Sequence, residues 1–134
     1  MLCMNTYPTD YIASCRSGVD AQLTSFRQMA AGKTAKLAEF ERQFFRHMLL
    51  ALDHYFMHRT RAIEGKDGNP LNEVRMLCNA IMENGAVLQA DKTIKYKPEN
   101  TVLQIAVGDE VKLNADGFSK LAHAFFDEIE KKFS

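Results

Sequence analysis

The chain has no tryptophan, only three prolines and three cysteines, no excess of either charge and no long apolar run. Each shortage excludes something. Seventeen basic residues balance seventeen acidic ones, so the formal net charge is zero. Nucleic-acid binders draw much of their affinity from phosphate contacts and carry a basic excess, so no nucleic-acid partner is expected. A membrane-spanning helix needs about 20 consecutive apolar residues, which no segment approaches, and no membrane association is expected. Cys3, Cys15 and Cys78 are widely spaced, odd in number and outside any C-x-x-C or C-x-x-H unit. They read as free thiols in a reducing compartment rather than a disulfide framework. Met1 to Pro8 has neither the basic nor the apolar region of a signal peptide. The expected location is cytoplasmic.

What is present is ordinary globular material, 46% hydrophobic and 25% charged, which excludes a disordered chain. Its 134 residues fit one domain, 1–134. Pro8-Thr9-Asp10 opens a first helix with Thr9 as N-cap, and Ile12, Cys15, Val19, Leu23, Phe26 and Ala30 recur at helical spacing up to Gly32. A second, long helix spans Thr34 to Glu64. Its wide apolar face carries Leu37, Phe40, Phe44, Met48, Leu52 and Tyr55. Phe45, Leu49 and Phe56 form a second strip. With the adjacent pairs Phe44-Phe45 and Phe125-Phe126, either both rings are buried between three elements or one faces a partner subunit, and a homodimer is the expectation.

A third helix is punctuated by Asn69 as cap, Pro70 at the first helical position and Asn84-Gly85 at the end. The region of about 87–113 changes character. Thr93 to Lys97 alternates polar and apolar, Val102 to Val107 is a short apolar run, and Val111 to Leu113 is another, with turns at Pro98-Glu99-Asn100 and Gly108-Asp109. This predicts a small antiparallel β-meander, with Lys92, Lys95 and Lys97 guarding its edge. Asn114 or Asp116 then caps a last helix bearing Phe118, Leu121, Ala122, Phe125, Phe126, Ile129 and Phe133. The predicted class is mainly α (α+β): a four-helix bundle-like domain with the meander before its last helix.

Two sites are candidates. His47, His54 and His58 fall within about 40° of one another on a continuous helix, and His54 and His58 lie about 6 Å apart along its axis. Those two imidazoles could converge on a transition metal if Glu64 or Glu73 supplied a third ligand. His47 is about 10.5 Å back along the axis and too far to join them, and His123 shares a solvent face with Asp127 and Glu130. The pair lacks the H-E-x-x-H pattern, and histidines flanking a core serve the same spacing. The second candidate is the polar joint between helices, with His58, Arg59, Arg61, Lys66, Asp67, Asn69, Asn72, Glu73 and Arg75. A helix N-terminus beside Lys66 or an arginine can hold a small anionic ligand, and such loops also meet protein partners. The same charges could instead pair with one another around a tight turn.

Other motifs fail. Gly32-Lys33-Thr34 has Arg27 where a phosphate loop needs its first glycine, and Asp67-Gly68-Asn69 lacks the remaining calcium-loop ligands. Cys78 sits on an apolar stripe, where a thiol is packing. Three functions stay open. The first is a non-catalytic ligand-binding or protein-interaction domain using the joint at 58–75. The second is a metal- or cofactor-binding bundle with His54 and His58 as ligands. The third is an enzyme with His58 as general base near Asp67 or Glu73.

The stretch from Phe40 to Phe133, with EGKDGNPLNEVRMLC at Glu64 to Cys78 and VGDEVKL at Val107 to Leu113, resembles small bacterial proteins of unknown function. The resemblance implies a self-contained domain and carries no activity, cofactor or catalytic residue with it.

Overall fold

The last helix is the element around which the others gather. In the computed structural model, which describes residues 3–30, 32 and 35–134, the helices are α1 (Thr9–Met29), α2 (Ala35–His54), a single turn α3 (Arg61–Glu64), α4 (Pro70–Glu83) and α5 (Ala115–Phe133). The expected start at Thr34 lies outside the described residues. Helix α5 packs against α1, α2 and α4 and touches α3. Asn114 caps it by accepting from the Gly117 N–H at 2.8 Å. Its stripe Phe118, Leu121, Ala122, Phe125, Phe126, Ile129 and Phe133 is buried throughout. Adjacent Phe125 and Phe126 are both buried because neighbours stand on two sides, and both rings meet Phe56. Burial of each phenylalanine contributes about 1.5–3 kcal/mol.

Helix α1 starts one residue earlier than expected in capping terms: Pro8 is its N-cap and makes no side-chain cap bond, while Thr9 is already helical. Helix α2 turns Phe45, Leu49 and Leu52 inward, followed by Phe56 beyond its end, and all four are fully buried. The strip expected to bury against a second subunit is therefore part of the core of this chain. Phe45 meets Phe118 of α5 at 5.3 Å between centroids. The outer edge is Phe40, which is 52% exposed, with half-buried Phe44 stacked on Phe26 of α1.

The long second helix is broken after His54. Phe56 N–H donates to Asp53 O, Met57 N–H to His54 O and Arg59 N–H to Phe56 O, the three-residue spacing of tight turns. In a continuous helix Arg59 and Glu64 would point about 140° apart. The break brings them together, with Arg59 Nε 2.8 Å from Glu64 Oε1.

No β-meander forms. Among the described residues there is no strand, only isolated bridges: Met4 with Arg59 in parallel sense and Val87 with Glu110 in antiparallel sense. The alternation at 93–97 is real in burial, since Ile94 is buried while Thr93, Lys95 and Lys97 are exposed. Its backbone, however, is satisfied elsewhere. Lys95 N–H donates to Lys66 O, and Thr93 N–H to the Asp91 carboxylate. In the second apolar run the N–H groups of Val102 and Leu103 donate to Glu73 and that of Gln104 to Thr101 Oγ1. Side chains have taken the donors that a neighbouring strand would have used.

Gly68 is the tightest point between this loop and the joint. Its φ is +85°, and a Cβ there would stand 2.5 Å from the backbone oxygen of Lys95. Gly68→Ala is expected to destabilise the protein by about 2 kcal/mol, through a left-handed conformation and a backbone clash together. A urea midpoint equal to that of the unsubstituted protein would contradict this.

Candidate functional site

The polar joint is built inward. Glu64 and Asn72 are fully buried, with Arg59 and Glu73 almost so. Arg75 grips both oxygens of Glu64, Nη2 on Oε1 at 2.6 Å and Nε on Oε2 at 3.0 Å. Arg59 Nε adds a bond to Oε1 at 2.8 Å, and Asn72 Nδ2 one to Oε2 at 2.8 Å. The rest of the Arg59 guanidinium donates to Phe56 O and Leu71 O and lies over the Phe125 ring. Asp53 Oδ1 is 2.9 Å from its Nη1, close enough for an ion pair although not aligned as a hydrogen bond. Burial pushes the Glu64 carboxyl upward, but the Arg75 bonds and the charge of Arg59 outweigh it and hold the group below its ordinary value. Burial likewise pulls Arg75 down, and Glu64 more than restores it.

Asn69 completes the corner. Its side-chain oxygen accepts from the N–H groups of Leu71 and Asn72, its carbonyl from Glu73 N–H, and its amide donates to Glu64 O and Asp67. The bond from Asn69 keeps the Asp67 carboxyl below its usual range. The donors at the α4 N-terminus, where an anion was expected, are thus used by Asn69. Glu73 faces away from this cluster. Its two oxygens accept from the N–H groups of Val102 and Leu103, both at 2.9 Å, and burial pushes its carboxyl upward against those two bonds. Of the nine joint residues, Arg59, Asn72 and Arg75 meet around Glu64. Glu73 ties down the following loop, and His58, Arg61, Lys66 and Asp67 remain exposed. Arg61 reaches Thr93 Oγ1, at 3.5 Å.

The helix break separates His58 from the helical stripe, yet His54 and His58 still share a place. Both line an open groove of about 450 Å³ with Met4, Tyr7, Pro8, Tyr11, Tyr55 and Met57. Neither Glu64 nor Glu73 can join them as a metal ligand, since both carboxylates are buried and bonded elsewhere. Among the described residues no group of three or more His, Cys, Asp or Glu is placed to hold a metal ion. His47 is exposed and outside the groove, and His123 is exposed 3.8 Å from Asp20.

The N-terminal wall of the groove is absent from any periodicity argument. Met4 N–H donates to His58 O at 2.7 Å, Thr60 N–H returns to Met4 O at 3.0 Å, and Tyr7 N–H donates to Phe133 O at 2.6 Å. Tyr11 O–H donates to Tyr55 O at 2.7 Å. Burial and the Cys15 thiol push the Tyr11 phenol up to about 12, so it stays a neutral donor. Tyr7 is itself buried, and its hydroxyl has no hydrogen-bond partner. The usable sequence signal was an excess of apolar residues off the helical stripes: Tyr11 beside Ile12, and Tyr55-Phe56-Met57 in succession.

Two carboxylates give opposite pH behaviour. Glu64 titrates below an ordinary glutamate when folded. Its contribution is therefore fully present above about pH 4.3 and is lost as pH falls through its lowered folded value. Glu64→Gln should cost about 3–5 kcal/mol at neutral pH by leaving two arginines without their anion, and should flatten the acid limb of the urea-midpoint profile. An unchanged acid limb would exclude that role. Glu73 titrates above an ordinary glutamate. Its contribution is greatest below about pH 4.3 and declines as pH rises through the raised folded value. Glu73→Gln should remove this decline. Glu73→Ala should cost about 1–3 kcal/mol and speed amide hydrogen exchange at Val102 and Leu103 above all; protection unchanged at those two amides would refute the anchoring role.

The chain matches no family model, no curated protein and no solved structure, which agrees with its resemblance to proteins of unknown function.

Proposed function

We propose that this small helical protein is a non-catalytic binding module whose ligand surface is the groove between the N-terminal arm and the end of α2. The buried joint serves as its support. The observation that carries this reading is a concentration of apolar surface. Of nine large hydrophobic residues exposed among those described, Met4, Tyr11, Tyr55 and Met57 all line this one groove. Scattered exposed apolar residues need no explanation, but a contiguous set rimmed by polar groups marks a binding surface. A volume of about 450 Å³ falls in the usual range for small-molecule sites. The ligand class that fits is a small molecule with an apolar or aromatic body, packed on tyrosine rings and thioethers. The two buried carboxylates with displaced proton affinities, Glu64 and Glu73, are sealed in internal bonds, which favours binding over acid–base chemistry.

Titration with 2-naphthol, followed by amide NMR shifts, should move the resonances of Met4 to Tyr11 and His54 to His58 selectively. Tyr55→Ala should weaken that binding about tenfold, the loss of one aromatic wall. Shifts spread evenly over the surface, or absent from these two segments, would end this reading.

A further inference from the structure

Two kinds of soft donor meet in the same groove. Met4 and Met57 bring thioethers, and His54 and His58 bring imidazoles. The backbone ties these residues in pairs: Met4 N–H donates to His58 O at 2.7 Å, and Met57 N–H donates to His54 O at 3.3 Å. Met4 is 37% and Met57 48% exposed, and both histidines are exposed. Among the described residues neither imidazole is engaged by a hydrogen bond or an ion pair. All four side chains thus line one groove, and neither imidazole has a bond to give up there. Among the described residues no carboxylate, lysine or arginine lines the groove.

We propose that this groove is a soft-metal site in which Met4, Met57, His54 and His58 take up a monovalent copper ion. Thioether sulfur binds Cu(I) well and hard divalent ions poorly, while imidazole suits copper of either charge. Zinc sites draw on thiolate, imidazole and carboxylate, and only the two imidazoles here belong to that set. The soft assignment is compatible with there being no His/Cys/Asp/Glu cluster among the described residues, because half of this donor set is methionine. The inference goes beyond the apolar-ligand reading. The two separate experimentally, because Met→Leu removes sulfur while leaving an apolar wall of nearly the same volume.

The test is anaerobic Cu(I) titration against bicinchoninate with ascorbate present, on protein carrying Cys3→Ser. The exposed thiol of Cys3 would otherwise bind copper by itself. The expected result is one Cu(I) per chain and no comparable uptake of Zn(II). Met57→Leu, Met4→Leu and His54→Gln should each weaken the affinity by about tenfold or more. Circular dichroism should report unchanged helix content in each variant. Copper-edge X-ray absorption of the loaded protein should show both sulfur and nitrogen neighbours. Loss of binding on Cys3→Ser alone would overturn the proposal. So would affinity unchanged in folded Met57→Leu and Met4→Leu variants, or an absorption spectrum with no sulfur neighbour.

Discussion

Four side-chain donors from Arg59, Asn72 and Arg75 converge on the carboxylate of Glu64, a residue with no exposed surface. Much of the molecule is arranged to make this possible. A buried carboxylate loses several kcal/mol of hydration, and only a nearly complete set of charged hydrogen bonds offsets that. Arg59 arrives from the turn after α2, Glu64 from the single turn α3, and Asn72 and Arg75 from the first turns of α4. Lys132 near the end of α5 donates to the Glu64 backbone carbonyl at 3.0 Å. The anion thus gathers three consecutive parts of the chain, and the backbone of the same residue ties in α5. The break in α2 follows from it, because a straight helix could not present Arg59 and Glu64 to each other.

The same break creates the groove. Where α2 stops at His54, the tight turns at 55–59 bury Phe56 and leave Tyr55 and Met57 outside. The N-terminal arm then pairs with the exposed backbone of His58 and Thr60 and supplies the opposite wall. Structural demand and surface are linked here. The residues that fill the joint have no spare hydrogen-bonding capacity for a ligand, while those displaced from it have little else to do.

Glu73 illustrates a second way to order a loop. Residues 86–113 contain one 3-10 turn, Pro98–Asn100, and no strand. They are nonetheless pinned by Leu88, Ile94, Val111 and Leu113, which are buried, and by one carboxylate spanning two successive amides. Without a cation beside it, that carboxylate is held by peptide dipoles alone, so burial raises its proton affinity where Glu64 is lowered. Two glutamates nine residues apart differ in sign because one faces arginines and the other faces backbone N–H groups.

Sequence alone determined most of the helices, though not the break after His54 that sets α3 apart from α2. Apolar residues at spacings of three and four, Asn69-Pro70 and Asn114 as start signals, and the stripe of α5 are local features, and local geometry reads them directly. It also determined the chain's even charge balance, and placed His54 and His58 close to each other. Only the tertiary structure decided the rest. Phe45, Leu49 and Phe56 look like a second surface until α5 is seen to fill it. The alternation at 93–97 predicts a strand, but a strand needs a partner, and here the Asp91 side chain and the Lys66 carbonyl took the Thr93 and Lys95 N–H groups, as Glu73 and Thr101 took those of 102–104. The nine polar residues of the joint look alike in sequence. Which of them face Glu64, which face a loop and which face solvent depends on a helix break whose cause, the burial of the Arg59–Glu64 pair against α4 and α5, is a long-range energetic fact that no local pattern records.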